Sequence, residues 1–197
     1  LRRTKEDAEK TRADILDAAE QLFANKGVQA TSLDQVARAA GVTRGAVYWH
    51  FRDKRDLLAA LRDRYRPPEI DIMEAALANR LDDVFEVIIS LTHPCLATFA
   101  AEDSRQRMFM ILEQNPPDAG PGPNLEGFGL MVRLMTRAQE NGHLAADLTP
   151  TEAALSLVAL FRGLMAEWMV SDRCFDLPET GTRLIARHLR SLRTIPQ

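Results

Sequence analysis

Residues 31–58 read TSLDQVARAAGVTRGAVYWHFRDKRDLL, and this stretch decides how the first part of the chain folds. Ser32 followed three residues later by Gln35 is a capping box, the signature of a helix start. Leu33, Val36, Ala37 and Ala40 then recur at i, i+3, i+4 and i+7, one apolar helical face. Gly41 follows at once, where a helix ends on a residue that tolerates the left-handed conformation. Val42 is an apolar plug for the corner, and Thr43 can cap a second helix. In that helix Ala46, Val47 and Phe51 face inward, which leaves Arg44, Gly45 and Tyr48 outward, with Trp49 and His50 at the edge. Two short helices about a glycine turn form a helix-turn-helix, whose second helix enters the major groove of DNA.

Each outward residue has a role to play on DNA. Arg44 can fork onto a guanine edge. Gly45 lets the backbone approach closely. Ser32, Thr43, Tyr48 and His50 can hydrogen-bond phosphates, contacts that set register without reading sequence. Lys54, at the start of the next helix, is placed to reach a further phosphate. The alternative is an ordinary helical hairpin with a solvated basic face. The Tyr48-Trp49 pair weighs against it, because large aromatics are costly to expose without a partner.

With these residues in place the stretch resembles the DNA-binding core of TetR-type transcriptional repressors. The matching positions are Thr31, Leu33, Ala37, Ala40 to Val42, Arg44 to Phe51, Lys54, and Leu57-Leu58. The wording Thr43-Arg44-Gly45 and Tyr48 to Phe51 is similar to the AcrR-like subgroup, repressors of multidrug efflux pumps. A second match lies downstream at Gly163-Leu164, Glu167-Trp168, Asp172 and Phe175 to Leu177. Residues of about 70–150 match only in helical character.

Charge is unevenly divided. The formal net charge is −3, but residues 1–66 hold 14 basic and 10 acidic side chains, so the remainder is acidic. A basic head on an acidic body suits a protein whose first part alone meets DNA. Arg2 and Arg3 form a basic arm ahead of the first helix, able to reach phosphates or a minor groove. The polar opening LRRTKEDAEK has no apolar core of a secretory leader, and no apolar run approaches the ~20 residues of a membrane span. A cytoplasmic protein without membrane contact is expected. Cys95 and Cys174 are read as free thiols, since neither has a Cys or His at metal-ligand spacing. No metal or cofactor is expected. There is no Ser-His-Asp arrangement with supporting turns, no dinucleotide fingerprint and no Walker sequence, so an enzyme is not expected.

Periodicity predicts an all-α fold. A first helix spans about 6–26 and a fourth begins near Asp53. The latter is interrupted at Pro67-Pro68, because proline removes a backbone donor and clashes with the preceding turn. Further helices fall near 82–100, 103–115, 124–141, 150–172 and 178–193, and the Pro- and Gly-rich run 116–123 is a loop. The expected organisation is a helix-turn-helix domain over 1–52, a linking helix over 53–79, kinked at the double proline, and a ligand-binding and dimerisation domain over 80–197.

Soft apolar side chains fill the body: Phe85, Ile88, Ile89, Phe99, Met108, Leu112, Met131, Met135, Val158, Phe161 and Met165, with Arg162 on an otherwise apolar face. Read as residues they make a plain core. The resemblance raises them to the lining of a pocket for a hydrophobic inducer, with Arg162 either paired to Asp103 or Glu113 or touching the ligand. His93 reads as a satisfied core histidine. Leu184, Ile185, His188, Leu189 and Leu192 form a stripe at helical spacing, and residues 153–170, including Leu155, are apolar on most of their circumference. The resemblance implies that these two helices pair with their twins in a homodimer. It further implies a repressor on a palindromic DNA operator that hydrophobic small molecules release. Ligand binding would move the fourth helix and spoil the spacing of the two recognition helices, about 34–36 Å. Two alternatives stay open: a regulator of a metabolic or catabolic operon with another inducer, and a ligand-free architectural DNA-binding protein.

Overall fold

The computed structural model describes residues 5–78, 83–115 and 125–194, and of 125 and 126 the backbone alone. Arg2, Arg3 and the predicted loop over 116–123 lie outside the described residues. Among the described residues there are ten helices: α1 (Lys5–Lys26), α2 (Leu33–Ala39), α3 (Arg44–His50), α4 (Lys54–Arg64), α5 (Glu69–Ala78), α6 (Val84–Ala101), α7 (Asp103–Gln114), α8 (Leu125–Glu140), α9 (Pro150–Val170) and α10 (Leu177–Ser191). The all-α expectation holds; the linking helix expected over 53–79 is instead two helices, α4 and α5, and the other predicted helices are present within a few residues of their expected limits.

Local chemistry explains the helix starts. Ser32 accepts from the Gln35 amide and Gln35 returns a bond to the Ser32 amide, closing the capping box. Thr43, Asp53, Asp83, Thr149 and Asp176 cap α3, α4, α6, α9 and α10 with side-chain oxygens, each such cap stabilising a helix by about 1 kcal/mol. Gly41 takes the positive φ of 67° that the α2–α3 corner requires. The double proline ends α4, with Tyr65 as its cap, and α5 starts at Glu69.

The chain divides into two compact units, residues 1–66 with 103–116 and residues 67–102 with 117–197. The first therefore contains α1–α4 and α7. Ile15, Leu16, Ala19 and Phe23 of α1, Val36 of α2, Val47 of α3, Phe51, and Leu57 and Leu61 of α4 are buried together with Met108 and Ile111 of α7. This revises the sequence reading. All of α4 belongs to the first unit, with Leu57 and Leu61 in its core. Met108 and Leu112, expected in the sensing body, pack into that core because the apolar stripe of α7 lies on α1.

In the second unit α10 packs most intimately on α6. Gly181 permits the approach, since a Cβ there would stand 2.4 Å from Leu96 Cδ1. Further contacts join α8 to α9, α9 to α10, and α5 to α6 and α8. Trp168 pins the α9–α10 connection: its indole N–H donates to the Phe175 carbonyl at 3.0 Å. Near the chain's end, Arg193 grips Asp83 through two hydrogen bonds of 2.9 and 3.2 Å and reaches Glu86 at 2.9 Å.

Three expectations change here. Ile185, Leu189 and Leu192 are buried in the second unit's own core, so of the predicted dimer residues Leu155 and Leu184 remain exposed and His188 half-buried. One stripe cannot face its own core and a twin at once. His93 is exposed rather than a core residue. Finally, α6 and α9 are, by length and composition, apolar enough to cross a membrane; their charged residues are Glu86 in α6 and Glu152, Arg162 and Glu167 in α9. Both are packed against other helices of the second unit. Cys95 is half-buried and Cys174 exposed, and neither is in a disulfide.

Candidate nucleic-acid interface

The recognition helix α3 is anchored on one side and bare on the other. Val47 and Phe51 are fully buried, and Ala46 is half-buried beside them. On the opposite side Trp49 is 73% and Tyr48 46% exposed, with Arg44 and Gly45 exposed next to them. Trp49 leans edge-on against the His50 ring at 4.5 Å. A Cβ on Gly45 would meet nothing nearer than 3.9 Å within the chain, and its backbone is not left-handed. Internal packing therefore does not require glycine at this position, whereas close approach of an external backbone or base would.

Arg44 is held in a defined orientation. Its Nε lies 3.1 Å from Asp34 Oδ1 on α2, its Nη2 is 3.5 Å from the Tyr48 hydroxyl, and its guanidinium lies 5.3 Å from the Tyr48 ring centre. The Tyr48 hydrogen bond, with the Asp34 charge behind it, raises the Arg44 pKa further above its ordinary value. A fixed cation at the tip of α3 is thus available to an anionic or acceptor-rich surface.

Ser32 and Thr43 are exposed at the starts of α2 and α3, with their hydroxyls engaged in capping. Lys54 is placed differently from the sequence reading. Its ammonium donates to the carbonyls of Val28 at 2.8 Å and Gln29 at 3.0 Å, so it ties the start of α4 to the α1–α2 connection. Two contacts of α3 and its cap carry little signal in the sequence. Asp34, the partner of Arg44, carries no local signal beyond its place in the first turn of α2. Arg12 lies 5.3 Å from the Phe51 ring centre, a pairing across most of the head's sequence that periodicity cannot reveal.

The predicted ligand residues of the second unit are all internal to some degree. Phe85, Ile88, Phe99 and Met135 are buried, while Ile89, Met131, Val158, Phe161, Arg162 and Met165 are half-buried. Asp103 and Glu113, the carboxylates expected beside Arg162, lie on α7. A separate groove of about 460 Å³ between α5 and α8 is lined by Glu74, Leu77, Ala78, Arg133, Thr136, Arg137 and Glu140.

Comparison with known proteins agrees with this geometry. The family described as "Bacterial regulatory proteins, tetR family" matches residues 15–61, and the C-terminal region of the MAATS-type transcriptional repressors matches residues 125–194. The transcriptional repressor BepR of Brucella suis is 34% identical over 209 aligned positions, covering 100% of both chains. This chain belongs to the TetR family. The TetR-family assignment extends to structure. NalD, the secondary repressor of the MexAB-OprM multidrug efflux pump in Pseudomonas aeruginosa, is 32% identical, with a TM-score of 0.77 over 97% of this chain and 100% of NalD. SmeT, repressor of the Stenotrophomonas maltophilia efflux pump SmeDEF, is 27% identical with a TM-score of 0.77 over 95% and 93% of the two chains. TetR-family repressors bind DNA and act as dimers, and the helix-turn-helix of this family member is the element built from residues 33–50.

Proposed function

We propose that this TetR-family regulator is a dimeric repressor of an efflux-pump operon, released from its operator by a hydrophobic compound bound in the second unit. The observation that carries the reading is the outward face of α3. Arg44, Gly45, Tyr48 and Trp49 form a basic, aromatic surface on a helix whose other side is locked into the head. Arg44 supplies the base contact; Thr43, Tyr48 and His50 supply phosphate contacts. The efflux assignment is supported by NalD and SmeT, both repressors of such pumps.

Dimerisation is assigned to α9 and α10. Leu155, Ala159 and Gly163 succeed one another on one exposed line of α9, with Val170 exposed further on and Leu184 exposed on α10. Small residues at the middle of such a line let two helices approach closely. A two-fold dimer places two recognition helices on the half-sites of a palindrome.

The test is fluorescence anisotropy on DNA from upstream of the chain's own gene and its divergent neighbour, with and without hydrophobic drugs and phenolics. Selective binding reversed by a compound supports the full reading. Selective binding that nothing reverses removes the sensing half. The absence of selective binding to either DNA overturns the assignment of these operators.

A further inference from the structure

Asp34 is an acidic side chain set against the residue assigned to read bases. Its Oδ1 lies 3.1 Å from Arg44 Nε. That oxygen is shut off from water and makes no aligned hydrogen bond, so among the described residues the Arg44 cation is its charge partner. The pair as a whole is well exposed, Arg44 at 67%. Exposed ion pairs contribute only ~0–1 kcal/mol to folding, so stability is a poor explanation for a carboxylate here. It is a poor explanation for general DNA affinity too, since a negative charge beside phosphates weakens that.

What the pair does provide is orientation. Asp34 engages Nε and Tyr48 engages Nη2 from its hydroxyl and ring face. The Asp34 charge thus lies against Nε and the Tyr48 hydroxyl against Nη2, while Nη1 has no partner among the described residues. Two parallel N–H groups of a guanidinium are the donors a guanine O6 and N7 accept in the major groove. A free arginine has many rotamers that would satisfy any nearby phosphate instead. Holding it through Asp34 and Tyr48 favours the base-reading geometry over those alternatives.

We propose that Asp34 is a specificity-determining positioning residue, holding Arg44 in the orientation that reads guanine. The proposal rests on the reading of Arg44 as the base-contacting residue. It predicts a division of labour: Arg44 makes the contact, and Asp34 makes that contact selective while lowering affinity for DNA in general.

The experiment is selection of duplexes from a random-sequence DNA library by the full chain, with base preference read at every position by sequencing. It compares wild type, Asp34→Asn, Arg44→Ala and the double variant, with unfolding midpoints measured for each. Arg44→Ala should flatten the guanine preference at one position of each half-site. Asp34→Asn should lower the preference at that same position about five- to tenfold, within the range one base contact provides, and leave other positions unchanged. It should bind random duplexes more tightly. In the Arg44→Ala background Asp34→Asn should change no base preference. A uniform rise in affinity with the guanine preference intact overturns the positioning role while leaving Arg44 as the reader. An unchanged profile for Arg44→Ala overturns the reading beneath it. If Asp34→Asn lowers the unfolding midpoint, Asp34→Ser at the same position must reproduce the single-position loss, and its failure to do so counts against the proposal.

Discussion

Arg107 Nε donates to Glu20 Oε1 at 2.8 Å, joining α7 to α1 across 87 residues of sequence. Glu20 is 3% exposed, and the Tyr65 hydroxyl donates to its other oxygen. One buried carboxylate therefore ties together α1, the end of α4 and α7. Burial and the Glu20 hydrogen bond both push the Tyr65 pKa up, so the phenol remains the donor.

Removing Arg107 leaves that carboxylate with a single partner. Breaking a fully buried pair costs about 3–5 kcal/mol. Because Arg107 is partly in water, Arg107→Ala is expected to cost about 2 kcal/mol in urea unfolding. An unchanged midpoint would mean that solvent already screens the pair.

Gly181→Ala tests the α6–α10 contact. The added Cβ would stand 2.4 Å from Leu96 Cδ1, and Leu96 is itself fully buried, so its side chain must shift within the core. Overpacking of this kind costs about 1–3 kcal/mol. Leu96→Ala in the same chain should recover part of the Gly181→Ala loss, a coupling measurable by a double-mutant cycle. Strict additivity would show that the helices separate without strain.

His188 should make stability depend on pH. Its Nε2 lies 2.9 Å from Ser156 Oγ, and the Ser156 hydroxyl donates to the Ala153 carbonyl. Burial lowers the His188 pKa in the folded chain. The unfolded chain then binds the proton more readily, so stability is lost as pH falls from about 6.5 through the folded value, and is unaffected above that window. His188→Gln should remove this component of the slope in unfolding experiments between about pH 5 and 7.5. An identical slope in both proteins would assign the dependence to other groups.

Lys54 and Arg44 are separable by combining DNA binding with stability. Lys54→Ala forfeits two charge-assisted bonds to the Val28 and Gln29 carbonyls and should destabilise the head by about 1–2 kcal/mol. Arg44→Ala should leave stability within about 0.5 kcal/mol and cost about 1–3 kcal/mol on the preferred sequence. A Lys54→Ala protein of unaltered stability but a shallower salt dependence would return Lys54 to the role of a simple phosphate contact.

The head was legible because its signals are local. Ser32 and Gln35 cap α2, Thr43 caps α3, and Gly41 turns the corner, each within four residues of its partner. The double proline broke α4 from α5 for an equally local reason. The errors share the opposite cause. Met108 and Leu112 form an apolar stripe that looks alike whether it covers the head or the body. Ile185, Leu189 and Leu192 form a stripe that does not say whether its own chain or a twin will cover it. Lys54 reads as a surface cation until the Val28 and Gln29 carbonyls, 26 and 25 residues away, are folded beside it.

By itself the sequence determined the all-helical fold, the caps Ser32 and Thr43, the interruption at Pro67-Pro68, and the outward set Arg44, Gly45, Tyr48 and Trp49. Those properties follow from hydrogen-bonding and steric rules acting over one or two turns. Only tertiary structure decided which helix covers which stripe, that α7 completes the first unit, that Glu20 is shared by Tyr65 and Arg107, and that Asp34 stands behind Arg44. Those choices depend on complementary shape and charge between segments far apart in the chain, and no local pattern encodes them.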